Sequence, residues 1–224
     1  MKKLVCIFVL YMTFKYVSAQ EIKGDIAYQY IYSKQWDKAI QTYNFSRPFL
    51  TEKQPLLIHG INPSLSYIFK SSNNLKHGIN LSYSYFRSSA KNENFKNILN
   101  LHFLQLGYIL HYENSEKLKN AYVNLIVSAI SNGLFRNLNG ESFEYDEKKS
   151  KAYGIGGNLT LKFGYCFEIK EKIISPYLSV GYTPYLYSPN TEAVINQTKE
   201  LTSKTWTGIF NLQMGVSYHI QRKN

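Results

Sequence analysis

The sequence predicts an all-β fold, an antiparallel transmembrane β-barrel of about eight strands with short turns at one end and longer loops at the other. Three observations predict it. Bulky apolar residues alternate with small polar ones at period two, and the links between alternating runs are long and short in turn. The 224 residues include 20 Tyr and 13 Phe, yet no later segment approaches the roughly 20 apolar residues that a membrane helix needs.

At the start of the chain, Met1-Lys2-Lys3 is basic, Leu4 to Phe14 is apolar, and Val17-Ser18-Ala19 ends the run in small residues. This is the pattern of a secretory signal peptide over residues 1–19, cleaved before Gln20, with residues 20–224 forming a single barrel domain. Lys15 interrupts the stretch and polar sequence follows at once, which argues against a retained anchor. Cys6 lies too early for a lipidated cysteine. Only Cys166 would survive maturation, so a disulfide scaffold is excluded. The formal charge of +11 includes three lysines of the signal, and the rest is scattered through turns and loops. Export removes the chain from nucleic acid and leaves phosphorylated lipid headgroups or anionic saccharides as the partners of that excess.

The alternation is cleanest in three segments. Ile79, Leu81, Tyr83 and Tyr85 oppose Asn80, Ser82 and Ser84. Ile155, Leu159, Leu161, Phe163, Tyr165, Phe167 and Ile169 oppose Gly156, Asn158, Thr160, Lys162, Gly164, Cys166 and Glu168, which places Lys162 and Glu168 inside the wall. Finally, Trp206, Phe210, Leu212, Met214, Val216, Tyr218 and Ile220 oppose Thr207, Asn211, Gln213, Ser217 and His219, with Ile209 out of phase. Weaker alternation covers about 22–33, 56–70, 98–112, 121–135 and 175–187. Between 98 and 112 the apolar phase switches from Leu99, Leu101 and Phe103 to Leu104, Leu106, Tyr108 and Leu110, which a bulge near Phe103 would explain.

Short polar links are expected at 71–76, 113–120 and 170–174, and longer ones at 34–55, 87–97, 136–151 and 188–204. With eight strands, this order puts both mature termini in the periplasm and the long loops outside. Soluble sandwiches and lipocalin-like barrels also alternate, but their strands are shorter than the roughly 9 to 11 residues of a membrane-spanning strand.

On this pattern the mature chain resembles the small outer-membrane β-barrel proteins of Gram-negative bacteria, and its Tyr-, Lys- and Asn-rich style is similar to those of Bacteroidota. The family ends on an aromatic residue; here Tyr218 or Ile220 would take that role within Gly215 to Asn224. The resemblance implies contact with outer-membrane lipid and lipopolysaccharide, assembly by the barrel-insertion machinery, and room for an envelope protein partner.

Chemistry is sparse. An eight-stranded barrel is filled by its own side chains, which rules against a wide pore. The five histidines form no histidine-x-serine pair of the kind seen in lipid A deacylases. Lone wall histidines such as His102 and His111 are expected to be hydrogen-bonded structural groups. No zinc or calcium pattern is present, and the acidic run Glu141 to Glu147 lacks calcium-loop spacing. No cofactor is implied. The most distinctive segment, Gln35 to Phe49, mixes aromatic and basic residues in the first long loop. Trp36, Tyr43, Phe45 and Arg47 are its candidate contact surface for a partner or glycan; against that stands the structural reading, which the sequence favours, in which the same residues fold the loop back as a plug or extend the wall. The expected function is a non-enzymatic barrel with an envelope structural, surface-interaction or assembly role. The alternatives are a lipid-modifying enzyme and a narrow channel.

Overall fold

A computed structural model of the chain describes residues 19–69, 74–113, 120–140, 149–169, 172–189, 191–196 and 204–221. The expected signal peptide before Ala19 and the acidic run Glu141 to Glu147 lie outside them. Eight strands follow one another: β1 (Ala19–Tyr32), β2 (His59–Phe69), β3 (Leu75–Lys91), β4 (Phe95–Glu113), β5 (Ala121–Gly140), β6 (Lys149–Tyr165), β7 (Lys172–Pro189) and β8 (Lys204–Gln221). After Cys166 the wall of β6 resumes briefly as Phe167–Ile169. Helix α1 (Lys34–Phe45) lies between β1 and β2, and α2 (Thr191–Asn196) between β7 and β8.

Each strand pairs antiparallel with the next, and β1 also pairs with β8 from Glu21↔Gln221 to Tyr32↔Phe210. The sheet is therefore a closed antiparallel barrel, which leaves no unpaired edge for lipid to face. Both ends of the described chain lie at the end of the barrel where the short turns are, called here the turn end; the helices lie at the opposite, loop end.

Bulky side chains point outward and polar ones inward, as the alternation requires. Ile79, Leu81, Tyr83, Leu159, Phe163, Met214 and Tyr218 are exposed on the wall, while Asn80, Ser82, Ser84, Asn158, Thr160 and Ser217 are buried in the lumen. Cross-strand tyrosine–histidine pairs mark both rims of the apolar band: His77 with Tyr108 (2.5 Å) towards the turn end, Tyr83 with His102 (2.5 Å) and Tyr28 with His59 towards the loop end. Amphipathic rings of this kind suit the headgroup level of a bilayer.

Several expectations are corrected. Glu168 is exposed, because the strand breaks at Cys166 and the Phe167–Ile169 piece forms a hairpin with Lys172 to Ile174 at the turn-end rim, with all three of its own residues exposed. No bulge occurs near Phe103: the registers of β3 with β4 and of β4 with β5 run unbroken through it. Leu99, Leu101 and Phe103 point into the barrel and Leu104 and Leu106 point out, so the phase switch marks an apolar interior. Ile209 is out of phase for the same reason. The register shifts instead where β7 meets its neighbours, between Gly157 and Leu159 and between Thr183 and Leu186.

The expected long link at 87–97 is instead a tight turn. Asn92 accepts hydrogen bonds from the backbone N–H of Asn94 (2.8 Å) and Phe95 (2.9 Å) through its side-chain oxygen, so β3 and β4 extend almost to the tip. Likewise β5 and β6 run on to Gly140 and from Lys149. These strands exceed the length a bilayer requires and continue past the aromatic rim.

Candidate functional site

The lumen is divided into a polar half at the turn end and an apolar half at the loop end. In the polar half two lysines are each held by a carboxylate and a tyrosine ring. Lys162, only 4% exposed, donates to Asp25 at 2.7 Å and Ser217 at 3.1 Å, and its ammonium lies 3.7 Å from the centre of the Tyr177 ring. Lys23 lies 3.3 Å from Glu21 and 4.6 Å from the centre of the Tyr122 ring. Ser64 adds a bond to Asp25 at 2.8 Å. A buried charge is tolerated only when paired and hydrogen-bonded in this way.

Glycines make room for the two rings. A Cβ on Gly164 would come within 2.3 Å of Tyr122, and one on Gly215 within 2.7 Å of Tyr177. Small residues on inward positions thus let a narrow barrel hold large polar aromatics. What space remains is a cavity of about 30 Å³ among Asp25, Asn62, Asn80, Gln105, Thr160 and Lys162, room for about one water. Asn158 crosses the lumen with bonds to Gln105 (3.3 Å), Thr160 (2.8 Å) and Thr183 (3.1 Å).

Beside this network stands an arrangement that sequence spacing could not reveal. Ser175 hydrogen-bonds His219 Nε2 at 2.8 Å, and His219 Nδ1 pairs with the carboxylate of Glu21. Nucleophile, base and orienting acid are in the order of a serine-hydrolase triad. The arrangement is enclosed. Ser175 is 0% exposed, and its hydroxyl also bonds Cys166 Sγ at 3.2 Å, so a substrate carbonyl has no approach to Oγ. His111 is likewise buried, bonded to Asn124 at 2.6 Å, whereas His102 faces outward in the aromatic rim.

The apolar half is closed by α1. Trp36, Ala39, Ile40 and Tyr43 recur at helical spacing and turn one face of the helix into the barrel. Trp36 stacks on Phe103 with ring centres 6.0 Å apart, and Ile40 is 0% exposed among the apolar group that includes Ile31, Phe86, Leu101 and Leu134. Val194 and Ile195 of α2 join the same cluster.

The chain after α1 is fastened to β3, β4 and β5. Glu52 and Lys91 exchange backbone hydrogen bonds (3.0 and 3.1 Å) and form an ion pair at 2.7 Å. Gln54 bridges Asn44 of the helix end (2.8 Å) to Ser88 (2.5 Å) and Asn97 (2.9 Å), and Asn97 in turn accepts from Arg136 at 2.7 Å. Asp37 sits in the first turn of α1, where the helix dipole favours its charge, while partial burial raises its carboxyl above the ordinary value.

Of the candidate contact residues, the structure therefore turns Trp36 and Tyr43 inward as parts of the plug. Phe45 is 89% exposed, and Arg47 lies 4.1 Å from the centre of the Tyr43 ring, covering the helix end. Phe49 is also exposed nearby. The helical spacing at 36, 39, 40 and 43 was the signal for the plug in the sequence. Among the described residues no group of three or more His, Cys, Asp or Glu is arranged to hold a metal ion.

Several solved structures align with the chain along most of its length. Neisserial surface protein A aligns with a TM-score of 0.49 at 10% identity, covering 90% of this chain and 96% of that one. Ail, the attachment invasion locus protein of Yersinia pestis, gives 0.47 at 12% identity, covering 91% and 100%. The outer membrane protein OprG of Pseudomonas aeruginosa gives 0.43 at 10% identity, covering 92% and 98%. No protein-family model matches the chain, and no curated protein matches it in sequence. The closed eight-stranded antiparallel barrel is read from the strand pairing itself.

Proposed function

We propose that the protein is a non-enzymatic outer-membrane barrel that acts through its capped loop end, in an envelope structural or surface-contact role. The observation that carries this reading is a lumen sealed twice, by an ion-paired polar network and by an apolar helical plug. Among the described residues neither a solute path through the lumen nor an accessible nucleophile beside a base is present, which argues against the channel and the lipid-modifying enzyme. The exposed edge of the cap, with Phe45 and Phe49 around Arg47, is the surface offered to a partner. The basic opening, apolar run and small-residue end of residues 1–19 support export with cleavage before Gln20. The turn-end termini support a periplasmic location for both. The residue usage suits a Bacteroidota source.

Three measurements test this. In planar bilayers the refolded protein is expected to give no discrete conductance steps, and a fluorophosphonate probe is expected to leave Ser175 unlabelled. Regular steps would move the assignment to a channel, and labelling lost in Ser175→Ala would move it to a hydrolase. In a Cys166→Ser background on intact cells, a membrane-impermeant maleimide should label Phe45→Cys and spare Glu168→Cys. The reverse pattern would invert the orientation.

A further inference from the structure

The outer wall carries a groove that neither sealing nor capping requires. Because β3 to β6 pair in unbroken register, their outward side chains form level rows across the wall. One row runs Tyr83, Leu104, Ser131, Ile155, continuing to Tyr187 and Trp206. The next row towards the loop end is Tyr85, His102, Gly133 and Tyr153, and the one beyond it Arg87, Asn100, Phe135 and Lys151. Along β5 the outward residues shrink to Ala129, Ser131 and Gly133 while their neighbours stay large. The result is a groove of about 820 Å³, with Leu104 and Leu106 on one bank and Ile155, Tyr187 and Trp206 on the other. That volume falls within the roughly 300–1,000 Å³ of ligand sites.

Above the groove the surface changes from apolar to aromatic to basic. Phe135 stands edge-on between His102 (5.2 Å) and Tyr153 (5.7 Å), closing a ring-lined rim. Arg87 and Lys151 are exposed just beyond it, and among the described residues neither forms an ion pair. They are three strand spacings apart, roughly 14 Å. Asn100 stands between them.

We propose that this face holds one saccharolipid molecule of the outer leaflet, of the lipid A class. An acyl chain lies along the groove, and the phosphates at the two ends of the disaccharide head are bound by Arg87 and Lys151. This rests on the outer-membrane reading of the chain. Charge and spacing select the occupant: a glycerophospholipid with one phosphate reaches one cation, whereas two sugars carrying a phosphate at each end reach both. Arginine presents a fork of donors suited to phosphate oxygens, and Asn100 offers a neutral partner to the sugars between.

The test is native mass spectrometry of the refolded full chain with lipid A bearing two phosphates, lipid A bearing one, and phosphatidylglycerol. Retention is expected to fall about tenfold from the first lipid to the last, and Arg87→Gln with Lys151→Gln to remove that preference. Ala129→Leu with Ser131→Leu, which fills the groove, is expected to lower retention of every acylated lipid. Equal retention of the three lipids by the native chain, or a preference that survives the double glutamine variant, would overturn the site. Electrophoresis with and without boiling separates the two readings. A heat-dependent mobility shift with indiscriminate lipid retention sinks the lipid site alone; absence of the shift in the native chain sinks the membrane-barrel reading and the site with it.

Discussion

Lys162→Met is expected to lower the free energy of unfolding of the lipid-embedded barrel by about 3–5 kcal/mol, the cost of leaving a buried partner charge uncompensated. Asp25 would keep Ser64 and Ser217 as donors but lose the 2.7 Å pair with Lys162, its one ion pair among the described residues. Methionine preserves much of the packing against Tyr177, so the loss reports the charge and its hydrogen bonds rather than a cavity. The double variant Lys162→Met with Asp25→Leu should recover most of the loss, since a buried pair replaced by apolar residues is often neutral. Urea unfolding in vesicles, followed by tryptophan fluorescence, measures all three proteins. A single-variant loss below about 1 kcal/mol would mean that water already screens the pair, and that the lumen is wetter than a sealed network allows.

The second large effect concerns the plug. Ile40→Asp puts a carboxylate where the side chain is fully enclosed among Phe86, Leu101 and Leu134, and Arg136, a buried cation of this end, is already bonded to Asn97 and lies over the Tyr43 ring. The helix is expected to leave its seat, because an isolated charge in apolar surroundings costs several kcal/mol, more than the segment between β1 and β2 can hold. Trypsin should then cut at Lys34 or Lys38 on the order of a hundredfold faster than in the native chain. The barrel itself should keep its heat-dependent mobility, since its ladders do not depend on α1. Conductance should stay absent in Ile40→Asp alone, because Asp25, Lys162, Tyr122 and Tyr177 still fill the turn half. Unchanged proteolysis would show that α1 is held by the Glu52 and Gln54 fastening rather than by its apolar face.

The outward face of the wall was legible because lipid imposes one demand on every second residue: Leu81, Phe163 and Met214 obey it in any register. The inward face carries no such common demand, and its reading failed where neighbours decide. Leu99, Leu101 and Phe103 looked like a slipped phase, since nothing local shows that Trp36 and Ile40, more than fifty residues earlier, return to cover them. Ile209 looked like an exception for the same reason. Glu168 continued an alternating run on paper, but alternation cannot tell where a strand passes the rim and ceases to enclose anything. The link at 87–97 read as a loop because of its polar residues, but Arg87 and Lys91 face water while Ser88 and Asn97 face the interior of strands that rise past the lipid; residues 136–140 and 149–151 continue β5 and β6 in the same way.

By itself, then, the sequence determined the number of strands to a close approximation, the face each presents to lipid, and the end at which the large connections gather. These follow from period-two geometry acting within single segments. Tertiary structure alone decided that the lumen is half polar and half apolar, that α1 is its cap, and that Ser175, His219 and Glu21 meet across three strands. It also decided that Arg87 and Lys151 share one level above a groove. Each of these depends on pairing register and barrel closure, which bring together residues whose separation along the chain carries no information about their distance in space.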